Sequence, residues 1–112
     1  MLMDYPLCDR TVTLYRRQRG GVERRVLHGC WYQWQDVLEQ DRQGERFDRK
    51  FLLIQPGQTP LAVGDRVFDG IGPEVVDWES FLPVSVPGLS QVAYAAPRYW
   101  QGEICHWEAG RK

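Results

Sequence analysis

Two short arrangements hold residue types able to bind a metal or attack a carbonyl. His28 and Cys30 form an HxC pair, and Cys105 with His106 stands near the end of the chain. Imidazole and thiolate are good zinc ligands, and a structural zinc site needs four such groups converging on one point. On a strand, Cys105 and His106 project to opposite faces, which makes a shared ion awkward. CxxC pairs of the zinc-ribbon kind are absent from the sequence. Cysteines acting as small buried hydrophobes are the simpler account. A Cys–His nucleophile pair is available by composition, but no nucleophile elbow or oxyanion loop accompanies it. Glu39, Asp41 and Glu45 fall in a polar stretch, where solvated carboxylates are expected rather than an acid–base pair. The expectation is therefore a protein that is not an enzyme, with no catalytic residue, no cofactor-binding residue and no metal ligand.

Aromatic and basic residues suggest a different chemistry. Small barrels can stack single-stranded bases on aromatic rings beside arginines. Trp31, Tyr32, Trp34, Tyr99 and Trp100, with Arg16, Arg17, Arg24 and Arg25, could serve. The competing reading is that most of the aromatics are core and that the arginines are solvated strand ends. A net charge of −1 over 112 residues gives no global attraction to nucleic acid or to an anionic membrane. A nucleic-acid-binding barrel is thus the alternative reading, without sequence-specific recognition.

The remaining composition is that of an ordinary globular domain: 43% hydrophobic and 26% charged residues, with five Trp and five Tyr suited to strands and contact surfaces. No apolar run approaches ~20 residues, so no membrane-spanning helix is expected. The segment MLMDYPLCDR has neither the charged nor the apolar region of a signal peptide. Three cysteines are an odd count, which points to reduced thiols in the cytoplasm rather than a disulfide framework.

The elements that position these residues are organised around 24–56, which predicts a long β-hairpin. In the first arm, Arg25–Val37, Val26, His28, Cys30, Tyr32 and Trp34 share one parity. Leu27, Gly29, Trp31 and Gln33 share the other. The second arm is Arg46–Ile54. Between them Glu39–Glu45 is polar with one Gly and no Asn-Gly or Asp-Gly pair, so a longer projecting loop is expected. Further strands are predicted over Thr11–Arg17, Arg66–Asp69, Gln91–Ala96 and Glu103–Glu108, with a brief one over Glu74–Val76. Asp77 is placed to cap a short helix over Trp78–Leu82 that Pro83 stops. Pro97–Gly102 reads as a turn carrying two aromatics. Residues 1–9 read as a loose lead-in and 110–112 as a short basic tail. The fold expected is a single mostly β domain: a small antiparallel β-barrel, or a sandwich, with a long hairpin and one short helix.

The order of these motifs resembles a known group. TVTLYRR comes first, followed by VLHGCWYQW, a hairpin arm ending FLLIQP, then VGDRVFDG, a short helical piece, a strand, and a closing HWEAGRK. This run is similar to the small minor capsid or head–tail connector proteins of tailed phages and prophages of Gram-positive bacteria. Those are the head-completion and neck proteins that follow the portal. The resemblance implies a barrel-like protomer that assembles into a ring between capsid and tail and has no enzymatic activity. Its partners would be copies of itself and the portal, adaptor and tail-completion proteins, in the virion and in the host cytoplasm during assembly. Exposed polar and aromatic extensions would make the contacts. The candidates are Glu39, Asp41, Arg42 and Glu45 on the hairpin, Arg16 and Arg17 near the first turn, Tyr99 and Trp100, and Arg111.

Overall fold

The structure, a computed structural model, describes residues 8–41 and 44–111; for 36–41 and 44–49 it gives strand pairing alone. Seven strands form: β1 Arg10–Gln18, β2 Gly21–Asp41, β3 Gly44–Pro56, β4 Arg66–Asp69, β5 Leu89–Gln91, β6 Tyr94–Trp100 and β7 Glu103–Arg111. All pairings are antiparallel, in the order β5-β4-β1-β2-β3-β7-β6, and the sheet curls strongly into a half-barrel.

β2 is the strand around which the sheet curls. Its first half pairs with β1, from Gln18↔Gly21 to Arg10↔Cys30, and its second half pairs with β3, from Trp31↔Ile54 to Asp41↔Gly44. A straight strand of its length would span roughly 65 Å at ~3.3 Å per residue. The molecule's longest dimension is 49 Å, so β2 must bend. It does so at a bulge, where His28 and Gly29 together face Thr11 alone. Gly29 has φ +70°, a conformation that costs a residue with a side chain but not glycine. The bulge also reverses the parity of the strand. Leu27 points into the core before it, and Cys30 and Tyr32 point in after it, while His28 is exposed. The single alternation expected from Val26 to Trp34 is corrected accordingly.

Of the expected first arm, Trp31–Val37 pairs with the second arm, whereas Arg25–Cys30 pairs with β1 instead, and the connection is much shorter than the expected Glu39–Glu45 loop. The ladder continues through Gln40↔Glu45 to Asp41↔Gly44. Only Arg42 and Gln43 remain between the strands, and both lie outside the described residues. Polarity here marks a ribbon that leaves the sheet, not a loop. β7 pairs with β3 only as far as Phe51↔Arg111. Beyond that point, among the described residues, Gln35–Asp41 and Gly44–Lys50 pair only with each other. This two-stranded ribbon extends roughly 20 Å at ~3.3 Å per residue.

The two edges of the half-barrel are consecutive in the chain. β5 lies beside β4 and β6 lies beside β7, with only Val92 and Ala93 between them. Val92 N–H donates to Asp65 O at 2.8 Å, and Ala93 N–H donates to Gly110 O at 2.8 Å. The single strand expected over Gln91–Ala96 is therefore two, because the chain must change neighbours where the curl brings the sheet edges together.

Four further expectations are corrected. The helix over Trp78–Leu82 is a single helical turn, with Phe81 N–H donating to Asp77 O at 2.9 Å. Five residues before a proline give too few hydrogen bonds to offset nucleation. No strand forms over Glu74–Val76, which belongs to the segment covering the outer face of β1. β6 runs through Trp100, leaving only Gln101 and Gly102 as the turn, with φ values of +52° and +80° that match a two-residue hairpin. Gly110 and Arg111, read as tail, belong to β7. Gly110 packs so closely that a Cβ there would lie 2.5 Å from the carbonyl oxygen of Phe51.

Inside the curl, Val12, Leu14, Leu27, Cys30, Tyr32, Phe51, Leu53, Leu61, Val67, Val92 and Ala109 form the main core. Tyr32 is hydrogen bonded to Ser90 across it at 2.8 Å. On the outer face of β1, Tyr15 packs edge-on against Phe81, and Leu89 completes a second cluster. β1 is thus covered on both faces. Its Thr13 hydroxyl donates to Gly70 O at 2.8 Å and accepts from Gly72 N–H at 2.9 Å, which satisfies a buried polar group within the covering segment.

Candidate functional site

The two arrangements singled out for nucleophilic or metal chemistry, His28 with Cys30 and Cys105 with His106, lie on separate strands. Cys30 is fully buried and its thiol donates to Gln55 Oε1 at 2.6 Å. Burial, and to a lesser degree the nearby Cys8, pushes it up to about 12. It is therefore a neutral thiol at physiological pH, without the thiolate a nucleophile or metal ligand requires. His28 sits on the outside of the bulge, 3.1 Å from the Thr11 hydroxyl. Cys105 and His106 lie on β7, two strands away from β2. Among the described residues no group of three or more His, Cys, Asp or Glu gathers in a metal-binding arrangement.

The arginines of the candidate nucleic-acid patch are mostly committed within the fold. Arg16 donates through Nε and Nη2 to both oxygens of Asp65, at 2.9 and 2.7 Å, and through Nη2 to Pro60 O at 3.0 Å. Arg24 donates through Nε to Pro73 O at 3.1 Å and through Nη2 to Gly72 O at 2.8 Å. Arg25 pairs with Glu23 at 2.9 Å. Tyr32 is in the core, and Trp31 is half-buried.

The residues expected to make assembly contacts fall at two ends of the sheet. Antiparallel alternation puts the β1–β2 and β6–β7 turns at one end and the β2–β3 ribbon at the other. Tyr99 and Trp100 are 64% and 51% exposed beside the β6–β7 turn. Arg17 is exposed near the β1–β2 turn, and its ion pair with Glu79 spans 3.4 Å between two largely exposed side chains. Arg16, by contrast, is held by Asp65 and is not a free contact. At the other end, Arg111 lies where the ribbon leaves the sheet. There it borders a groove of about 500 Å³ with Trp34, Gln35, Lys50 and Phe51. Glu39, Asp41 and Glu45 occupy ribbon positions in the strand pairing, and Arg42 lies outside the described residues.

A second groove, of about 430 Å³, was not foreseen from the sequence. Arg16, Arg17, Asp65, Arg66, Trp78 and Gln91 line it. Arg66 is only 6% exposed. Its guanidinium carbon sits 3.8 Å over the Trp78 ring, and Nη1 donates to Phe81 O at 2.7 Å and to Trp78 O at 2.5 Å. The side chain therefore clamps the helical turn after Asp77 to β4. At the corner that opens β4, Asp65 Oδ2 accepts the Ala62 N–H at 2.9 Å.

No helix among the described residues is long and apolar enough to cross a membrane. No protein-family model, curated protein or solved structure matches this chain.

Proposed function

We propose that this protein is a non-enzymatic structural component of a tailed-phage particle, a head–tail connector or minor capsid protein that assembles as a ring at the portal–tail junction. The observation that carries this reading is the β2–β3 ribbon. It continues past the last β7 pairing for about half the length of β3, and its sequence includes Val37, Leu38 and Phe47, with Leu38 opposite Phe47. Isolated two-stranded ribbons are marginal in water, so an element of this kind is best accounted for by a neighbour that covers it. The exposed Tyr99 and Trp100 at the opposite end supply a second contact surface of the composition enriched in protein interfaces. Two different surfaces at opposite ends suit heterologous contacts, which close into a ring when the rotation between copies closes. The resemblance of the motif order to connector proteins adds the particular assembly.

The test is incorporation. Heads of the cognate phage made without this protein, then mixed with it, should acquire a ring of it at the portal vertex alone, visible by electron microscopy. Uptake spread over the whole capsid surface, or no uptake, rejects the connector reading. Salt-dependent micromolar binding to single-stranded DNA in place of uptake would favour the nucleic-acid alternative.

A further inference from the structure

The groove between β1, β4 and the Trp78 turn has a charge arrangement that its structural role does not account for. Arg66 spends one nitrogen, Nη1, on two carbonyls. Its buried Nε has no hydrogen-bond partner, and among the described residues its guanidinium forms no direct ion pair, with Glu79 acting on it only at longer range. Arg16 and Arg24 each engage partners through Nε and Nη2 together, the edge of the guanidinium that matches a carboxylate. In Arg66 that same edge has no protein partner. A buried guanidinium whose counter-charge, Glu79, acts on it only from beyond ion-pair distance is costly, because carbonyl dipoles replace only part of its lost hydration.

The other groups lining the groove do not cancel this charge. Asp65 is the one carboxylate in the lining, and both its oxygens are taken by Arg16. Arg17 has only its long, exposed pair with Glu79, a kind of contact that contributes little. Arg66 and Arg17 thus present positive charge to one groove, walled by the indole of Trp78 and the exposed Val63.

We infer that this groove binds a carboxylate presented by a protein partner, an Asp or Glu side chain or a chain terminus. Arg66 and Arg17 would pair with it, and Trp78 and Val63 would pack on its methylene groups. A monoanion fits better than a phosphate dianion, because Asp65 within the groove and Glu79 beside it oppose added negative charge. The inference is separate from the assembly reading: a protein that fails to join heads can still bind such a carboxylate.

The experiment is a titration of the full-length protein followed by ¹H–¹⁵N NMR at the Arg66 Nε–H and Trp78 indole N–H signals. The probes are the peptide acetyl-Gly-Glu-Gly-amide, sodium acetate and inorganic phosphate, at matched ionic strength. The peptide should produce saturable shifts at both signals, more tightly than acetate, with phosphate weakest. Arg17→Ala, an exposed change that leaves the fold intact, should weaken the peptide at least threefold. Arg66→Lys should weaken it at least tenfold. Absence of saturation by the peptide overturns the inference, and so does unchanged affinity in Arg17→Ala. Phosphate binding tighter than the peptide overturns the carboxylate assignment. Acetate equal to the peptide overturns the protein partner in favour of a free small acid.

Discussion

Arg16 holds Asp65 with both ends of its fork, Nε on Oδ1 at 2.9 Å and Nη2 on Oδ2 at 2.7 Å. The pair ties β1 to the corner that opens β4. The Asp65 side chain is only 3% exposed, and it also accepts the Ala62 N–H. Asp65→Ala removes three hydrogen bonds at once and leaves a guanidinium facing a vacated, poorly solvated site. The expected loss is about 3 kcal/mol of unfolding free energy. Asp65→Asn keeps an acceptor and should lose less. Urea unfolding of the three proteins checks the order, and equal midpoints for wild type and Asp65→Ala would refute it.

The Cys30 thiol gives the fold a specific alkaline weakness. Burial pushes it up to about 12 from an ordinary value of 9.0. Above pH 9 the unfolded chain loses this proton while the folded chain keeps it. Unfolding is then favoured as pH rises, by at most ~1.4 kcal/mol per pH unit, until about pH 12. Below pH 9 the group contributes no slope. The urea midpoint of the wild type should therefore drop more between pH 8.5 and 10.5 than that of Cys30→Ala, which lacks the proton. Parallel slopes for the two proteins would sink this account. By the same logic a thiol reagent at pH 8 should label Cys30 only after unfolding.

How much of this could be read from the residues depended on whether neighbours in sequence were neighbours in space. The pairing of Trp31–Val37 with β3 and the β4 boundaries follow from local alternation, which the chain writes down directly. The bulge at Gly29 does not: one inserted residue flips Cys30 and Tyr32 relative to Leu27, and a period of two cannot register it. The break at Val92–Ala93 depends on the curl of the whole sheet. The contact residues proposed from charge and aromaticity divided along the same line. Tyr99 and Trp100 are exposed as composition suggested, whereas Arg16 is consumed by Asp65, forty-nine residues away. The Arg66 groove was illegible because Trp78 and Phe81 reach it only through the fold.

Gly110 tests the junction where three parts of the sheet meet. Its carbonyl accepts from Ala93, and it lies between Leu52 of β3 and Tyr94 of β6 in the pairing. A Cβ there would meet the Phe51 carbonyl at 2.5 Å and the Tyr94 hydroxyl at 2.8 Å. The tyrosine can move, but the backbone of β3 cannot without breaking its ladder. Gly110→Ala should thus destabilise by about 2 kcal/mol or more, an overpacking cost. Gly20→Ala is a useful contrast. A Cβ meets nothing there, so its cost is set by its φ of +92° alone and not by a clash. Thermal melts in which Gly110→Ala is no worse than Gly20→Ala would show that β3 and β7 separate more easily than their packing implies.

The ribbon separates folding from assembly. The described core residues lie outside it, and Phe51, the last core residue before it, is still paired with Arg111 of β7. Gln35 and Lys50 face each other across the ladder, so the strands can be joined there by an Asn-Gly turn in place of 36–49. Among the described strand pairings, the shortened protein forfeits only those of the ribbon with itself. Its midpoint in urea should stay close to that of the full chain, and the dispersed amide spectrum of the barrel should persist. If the ribbon is what a neighbour covers, the same protein should fail to appear at the portal vertex even in large excess. Unfolding of the shortened protein would place the ribbon within the cooperative core. Normal incorporation would move the assembly contact elsewhere, with the Tyr99–Trp100 end the next surface to change.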